Sequence, residues 1–285
     1  MFLTRFFKAG FRFKEIFAHR HDKLYKYLIY FVLLSFVTLF PFNVVNYLNG
    51  GWKLGVIVNN LTSGSEIELV NGYDIEVNQN GVYTPNNNEF QIISKGDDGK
   101  YYYYHFNYQK DLSEYIDDGV NQVLFQDNMI VLIYENGSYL KGNYNGFDKT
   151  YSFREYKTMN LEQKKQFLND FGLSVEEAFK HQRSFYTISM YTITQFATYV
   201  LLLLVLAGIN MLFKFRYTDF LTYRDSIKVV ILCMTVPTSL SFIISMTLAL
   251  FGVTAAFSLV PTIFQLGTGI ILMYVMIKHA GKEFS

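Results

Sequence analysis

Three long stretches of this 285-residue chain carry no charged residue: Tyr27 to Trp52, Ser184 to Phe213 and Val229 to Ile277. A helix crossing about 30 Å of hydrocarbon needs about 20 apolar residues, because each adds only about 1.5 Å. The first and second stretches each meet that length once. The third has 49 residues, too many for one crossing and enough for two, with a short junction between Gly252 and Pro261. Residues 27–48, 185–213, 227–251 and 259–277 therefore read as four transmembrane helices, the last two forming a hairpin.

Lys and Arg in the short flanking segments set which way such helices point. Arg5, Lys8, Arg12, Lys14, Arg20, Lys23 and Lys26 precede the first run, against Glu15 and Asp22. Lys214, Arg216, Arg224 and Lys228 follow the second, against Asp219 and Asp225, and Lys278 and Lys282 face Glu283 in the tail. These segments hold 13 basic and 5 acidic residues, whereas Asn49 to Arg183 holds 12 basic and 19 acidic ones. The net charge of +1 thus hides a basic side and an acidic side. All the basic segments share one side only if there are four crossings. The expectation is a multi-pass protein of the cell membrane, with residues 1–26, the loop 214–226 and the tail 278–285 cytoplasmic, and residues 49–184 outside. A cleaved signal peptide is the rival reading of the first run. Its apolar core exceeds the roughly 7–15 residues usual there, and Asn46-Tyr-Leu-Asn49 offers no small-residue cleavage site, so it reads as an uncleaved anchor.

The amino-terminal arm is amphipathic. At about 100° per residue, Phe2, Phe6, Phe13, Ile16 and Phe17 fall on one helical face, with Arg5, Lys8 and Arg12 beside them. A basic, aromatic helix of this kind lies in the membrane interface, so Arg5, Lys8 and Arg12 are the expected contacts to lipid headgroups.

The outer segment reads as an antiparallel β-rich domain. Strand signals occur at Gly55-Val-Ile-Val, Glu66 to Val70, Asp74 to Val77, Phe90 to Ile93, Lys100 to Phe106, Asn121 to Phe125 and Met129 to Tyr134. Turn-formers such as Asn71-Gly72, Asn80-Gly81 and Asn136-Gly137 separate them, and alternation at Ile67/Leu69 or Ile75/Val77 suits a sheet with one wet face. From Asn160 to Arg183 the apolar spacing becomes helical, with Ser174 and Glu177 resembling a capping box, which suggests a stalk into the second crossing. The sole cysteine, Cys233, lies in the third crossing, so the outer domain relies on its hydrophobic core.

Recognisable chemistry is sparse. The charge-free runs lack the ionisable groups used by proton relays and intramembrane proteases. No His-Glu-x-x-His, phosphate-cradling glycine loop or Gly-x-Ser-x-Gly elbow occurs. Glu176, Glu177, His181 and Arg183 are loosely spaced and read as a solvated stalk face rather than a catalytic group. Asp97-Asp98-Gly99 and Asp117-Asp118-Gly119 read as turns, because neither has the alternating ligands of a calcium loop. The run Tyr101 to Phe106 could stack sugar rings, yet tyrosine is also an ordinary strand residue. Within the crossings the notable groups are uncharged: Thr194 and Thr198 in the second, Thr235, Pro237, Thr238 and Ser239 in the third, and Gln265 in the fourth. They form a candidate polar seam facing the bundle interior, used for helix packing or as a small-molecule path, with the third helix bent near Pro237.

The run Leu221-Thr222-Tyr223-Arg-Asp-Ser through Thr235-Val-Pro-Thr-Ser resembles the signature of a bacterial membrane family of unknown molecular function. Its members are often labelled maltodextrin (maltodextrose) utilisation proteins. The Phe-rich arm, Asn71-Gly-Tyr-Asp-Ile-Glu-Val and Val123-Leu-Phe-Gln-Asp-Asn-Met-Ile-Val are similar too, although this chain reads Thr-Val-Pro where the family pattern runs Thr-Pro. The resemblance implies a four-span protein of Gram-positive bacteria, a membrane part distantly akin to Yip-type trafficking proteins, and no established catalytic residues.

The expected fold is thus a membrane α-helical bundle of four transmembrane helices with an inserted extracytoplasmic antiparallel β-rich (α+β) domain. The expected function is non-enzymatic: an accessory, scaffold or sensor whose outer domain contacts a partner or ligand, linked through the family label to maltodextrin uptake. No cofactor or metal is expected. Partners would be membrane lipids and other membrane proteins, such as a carbohydrate uptake system. With only 17% charged residues and a net charge of +1, nucleic acid is not among them. The alternative is a small-molecule transporter or lipid-handling protein using the Thr/Ser-lined bundle.

Overall fold

The computed structural model describes residues 2–19, 22–51, 55–63, 68–70, 72–85, 88–96, 99–107, 119–215, 221–251 and 259–280. In chain order come α1 (Phe2–Phe11), α2 (Leu24–Leu48), α3 (Val56–Ser63), β1 (Glu68–Val70), β2 (Glu76–Asn78), β3 (Gly81–Tyr83), β4 (Phe90–Lys95) and β5 (Tyr101–Phe106). Then follow β6 (Asn121–Phe125), β7 (Ile130–Ile133), β8 (Tyr139–Gly142), β9 (Tyr151–Ser152), α4 (Phe153–Thr158) and α5 (Leu161–Ala178). The chain ends with α6 (Lys180–Met211), α7 (Tyr223–Cys233), α8 (Thr235–Leu250) and α9 (Leu259–Val275). They gather into two units, Met1–Leu48 with Ile188–Ser285, and Asn49–Thr187.

Four helical segments are long and apolar enough to cross a membrane, Leu24–Leu48, Lys180–Met211, Tyr223–Leu250 and Val260–Ala280, and all but Lys180–Thr187 belong to the first unit. The buried side chains of α2 recur every three or four residues, at Tyr27, Tyr30, Phe31, Leu34, Ser35 and Thr38, and this stripe packs along α8. Small residues set the other close approach. A Cβ on Gly267 of α9 would lie 3.2 Å from the Cβ of Pro237. The third segment is interrupted at Met234, where α7 ends and α8 begins. Pro237 has no N–H for the Cys233 carbonyl, so the ladder breaks there, while Thr238 N–H still reaches the Met234 carbonyl at 3.0 Å.

The arm departs from the sequence expectation. Instead of one amphipathic helix through Phe17, α1 stops at Phe11, Arg12 leaves the helical region (φ −104°, ψ 77°), and two 3-10 turns follow. Phe6 and Ala9 are buried, and Phe6 stacks on Tyr27 with ring centroids 4.3 Å apart. Gly10 lies so close to Thr235 that a Cβ would overlap that side chain. Ile16 and Phe17 enter the same core from the following turns, so the arm is a packed part of the helical unit.

The second unit holds a six-stranded sheet, ordered β1-β4-β5-β6-β7-β8, and a three-stranded sheet, ordered β3-β2-β9. The larger sheet is mixed rather than purely antiparallel, because β5 and β6 run parallel, Tyr104 facing Val123. A parallel pair needs a crossover of about a dozen residues, which the span between Phe106 and Asn121 supplies. Strand β5 alternates as a half-wet sheet should: Tyr102, Tyr104 and Phe106 are buried while Tyr101 is exposed. Residues 56–58, expected in a strand, instead open the helix Val56–Ser63; Ile57 and Leu61 are buried in the domain core. Packing outweighs the β-branched local preference there.

Helix α5 is a core element, not a stalk. Leu168, Phe171, Val175 and Ala178 are buried in the domain core, where Phe171 meets Phe106, Phe125, Phe147, Tyr151 and Phe153. Its capping box is Asn160 with Gln163, reciprocal bonds of 2.9 and 3.0 Å. Ser174, expected as a cap, sits buried in mid-helix and bonds the Tyr151 hydroxyl at 2.8 Å. Close backbone contact requires Gly142, where a Cβ would stand 2.7 Å from the Ala178 carbonyl oxygen.

Candidate functional site

The seam residues do not all share an environment. Thr235 is buried and its hydroxyl lies 3.0 Å from that of Tyr30, linking α8 to α2. Pro237 and Thr238 are buried beside it, and Ser239, half-buried, donates to the Thr235 carbonyl at 3.0 Å. Gln265 is half-buried on α9. Thr194, by contrast, is exposed, and the partly buried Thr198 only bonds back to the Thr194 carbonyl. Helix α6 turns Tyr199, Leu203 and Ala207 inward instead, and Tyr199 stands about 140° around the helix from Thr194. Thr235→Val should cost about 0.6–1.7 kcal/mol, the range for interhelical hydrogen bonds. Tyr30→Phe should match it, and the double variant should be no worse than either. Thermal exposure of Cys233 to a thiol dye checks this, and additive losses would exclude the pair.

The loop motif is structural. Thr222 caps α7, its hydroxyl accepting from Asp225 N–H at 3.2 Å. Leu221 is buried, and the Tyr223 hydroxyl donates to the Leu204 carbonyl at 3.2 Å. Ser226 donates to the Ala207 carbonyl at 3.0 Å and accepts from Asn210 Nδ2 at 2.8 Å, so the motif pins α7 to α6. In the arm, Arg5 pairs with Asp22 and Arg12 with Glu15 at 3.1 Å, while Lys8 is exposed. Phe7 and Phe11 are exposed beside Lys8 and face each other at 5.1 Å.

The most site-like geometry is in the second unit, and it corrects the reading of Glu176 and Arg183 as a solvated face. Both are buried, Arg183 Nη1 lying 3.8 Å from Glu176 Oε2, whereas Glu177 and His181 are exposed. Burial lowers the Arg183 pKa from its ordinary value, and Glu176 and Glu177 oppose that shift. Among the described residues, Arg183 Nε and Nη1 have no hydrogen-bond partner. The Tyr134 hydroxyl pKa is raised, chiefly by burial and next by Tyr102; Arg183 lowers it and Glu176 raises it, so the four groups form one electrostatic cluster.

Arg183 borders two clefts. One, of about 470 Å³, is lined by Asp148, Lys149, Asp170, Glu176 and Glu177 among others. The other, of about 600 Å³, is lined by Lys100, Tyr102, Asn121, Tyr134, Glu135, Asn136, Ser138, Tyr139, Leu140, Arg183 and Tyr186. The turn joining β7 to β8 shapes its rim: Gly137 adopts φ +77°, and Asn136 Oδ1 accepts from Ser138 N–H at 3.0 Å and Oγ–H at 2.6 Å. Asn121 Oδ1 accepts from Glu135 N–H at 3.2 Å, and Lys100 pairs with Glu135. Of the tyrosine run, only Tyr102 reaches this cleft. Glu176 lies at the end of α5 and Arg183 at the start of α6, so the pair spans a helix junction and no helical spacing in the sequence marks it.

A family model described as a protein of unknown function matches residues 3–276. The chain belongs to the DUF1189 family. The match takes in the arm, the second unit, three apolar helices and most of the fourth, so DUF1189 covers both units as a single family. No curated protein and no solved structure matches this DUF1189 chain. Among its described residues no three His, Cys, Asp or Glu side chains converge as metal ligands, and the Asp-Asp-Gly aspartates lie outside those residues. The tyrosine-lined cleft offers aromatic faces, amides and one buried cation.

Proposed function

We propose that this DUF1189 chain is a non-enzymatic multi-pass membrane protein, with both termini cytoplasmic, whose outer domain senses or presents a ligand to neighbouring membrane proteins. One observation carries the reading. Arg183 and Tyr186, which line the tyrosine cleft, stand on the first two turns of α6, and α6 continues without interruption to Met211 as an apolar helix. An occupant of the cleft would touch the element that enters the membrane. The resemblance of its motifs to maltodextrin utilisation proteins supports carbohydrate uptake as the process, with Arg5, Lys8 and Arg12 contacting lipid headgroups.

Topology is tested with single cysteines in a Cys233→Ser background. An impermeant thiol reagent should label position 136 in intact cells and leave 14 and 278 unlabelled until the membrane is opened. For the function, the tagged full-length chain is isolated from its native membrane in mild detergent and bound proteins are identified by mass spectrometry. Enrichment of subunits of a solute-uptake system is expected. The transporter reading has its own support: Thr238 Oγ1, Ser241 Oγ and Tyr199 OH are buried in the helical unit with no hydrogen-bond partner among the described residues. Solute or lipid flux by the purified chain alone in proteoliposomes, with no co-isolated partner, would favour it over the sensor.

A further inference from the structure

Two clefts share Arg183 but differ in charge. The first sets Asp148, Asp170, Glu176 and Glu177 against Lys149 and Arg183. An anion is repelled there. In the second, Lys100 and Arg183 face the single carboxylate of Glu135, which Lys100 already engages. Lys141 is not part of the lining, but its Nζ stands 5.6 Å from the centre of the Tyr139 ring. An arginine whose side chain is only 5% exposed, with two nitrogens lacking hydrogen-bond partners among the described residues, carries a desolvation cost that an anionic acceptor would relieve. Glu176 balances its charge at 3.8 Å, beyond hydrogen-bond length. The aromatic part is equally specific. Tyr139 and Tyr186 are 40% and 46% exposed, and Tyr134, also in the cleft lining, is half-buried. Tyrosine presents an apolar ring face and a polar tip, which suits a ligand whose own faces are C–H and whose edges are hydroxyl.

We propose that the tyrosine-lined cleft binds a saccharide carrying a carboxylate or phosphate group, the anion received by Arg183 and the sugar rings resting on Tyr139 and Tyr186. This rests on the reading of the outer domain as the ligand-binding part, and it adds the ligand's charge, which a neutral glucan lacks. The cleft volume of about 600 Å³ lies within the range of about 300–1,000 Å³ typical of small-molecule sites.

The test is calorimetric titration of the full-length protein in lipid nanodiscs. The probes are trigalacturonate for the carboxylate, glucose 1-phosphate for the phosphate, maltotriose as a neutral saccharide and tricarballylate as an anion without rings. At least one anionic sugar should bind about tenfold more tightly than maltotriose and tricarballylate, as expected for one charge-assisted hydrogen bond. Arg183→Gln should abolish that preference. Because this variant touches a buried pair, Tyr139→Ala and Tyr186→Ala serve as independent arms, each weakening binding about threefold to tenfold while unfolding at the wild-type temperature. Equal binding of maltotriose would overturn the anion site yet leave the ligand-binding reading standing. Equal binding of tricarballylate would overturn the saccharide. Binding of none of the probes would overturn the proposal, while the co-isolation result, which depends on no probe, would still decide the wider reading.

Discussion

Replacing Glu176 by alanine is expected to destabilise the second unit by about 3–5 kcal/mol, because it leaves the Arg183 guanidinium buried without its compensating carboxylate. Both side chains are nearly inaccessible, 7% and 5% exposed, so solvent screening relieves little of that cost. Glu177→Ala and His181→Ala change exposed positions and should stay within about 0.5 kcal/mol. Limited proteolysis of the full-length protein across a urea series reads the difference. The double variant Glu176→Ala/Arg183→Met should be less unstable than Glu176→Ala alone, since it removes the stranded charge. The same series bears on chemistry. Loss of function in Glu176→Gln at unchanged abundance and stability would mean the carboxylate acts on a substrate, against the non-enzymatic proposal.

The second large effect is expected at Gly10. A Cβ there overlaps Oγ1 and Cβ of Thr235, and Thr235 cannot swing aside without losing its bond to Tyr30. Overpacking of this kind costs about 1–3 kcal/mol, more than the helix-propensity gain of up to about 1 kcal/mol from replacing glycine with alanine. Gly10→Ala should therefore lever α1 away from the junction of α7 and α8 and loosen the stacking of Phe6 on Tyr27. Cys233 reports this directly, being the sole cysteine and fully buried next to that junction. Its reaction with a thiol dye should begin at a lower temperature in Gly10→Ala, and Thr235→Gly in the same chain should restore part of the loss. An unchanged temperature would mean that the arm does not dock on the bundle.

The loop motif from Leu221 to Ser226 has a structural role that its residues make plain. Thr222, Tyr223 and Ser226 each satisfy a particular backbone or side-chain group at the joint between α6 and α7. Substituting them is expected to disturb the helix ends they join.

The sequence by itself determined the four long apolar helices, the β-rich insert between the first two, and the break near Pro237. Each is a local property: an uncharged run of sufficient length, strand and turn residues in alternation, or a residue without an N–H. Only the tertiary structure decided the rest. Val56, Ile57 and Val58 have strand-like side chains, yet they form a helix, with Ile57 buried against the domain core. Strands β5 and β6 pair in parallel because the chain crosses back between them, which alternation along either strand does not encode. Ser174 became the buried partner of Tyr151 rather than a cap, because α5 began fourteen residues earlier, at Asn160. Thr194 turned outward and Tyr199 inward, and Glu176 and Arg183 went into the interior together. The common reason is that helical periodicity sets the angles between side chains on one helix but not the rotation of that helix against its neighbours. That rotation follows from which faces bury the most apolar surface while satisfying their polar groups.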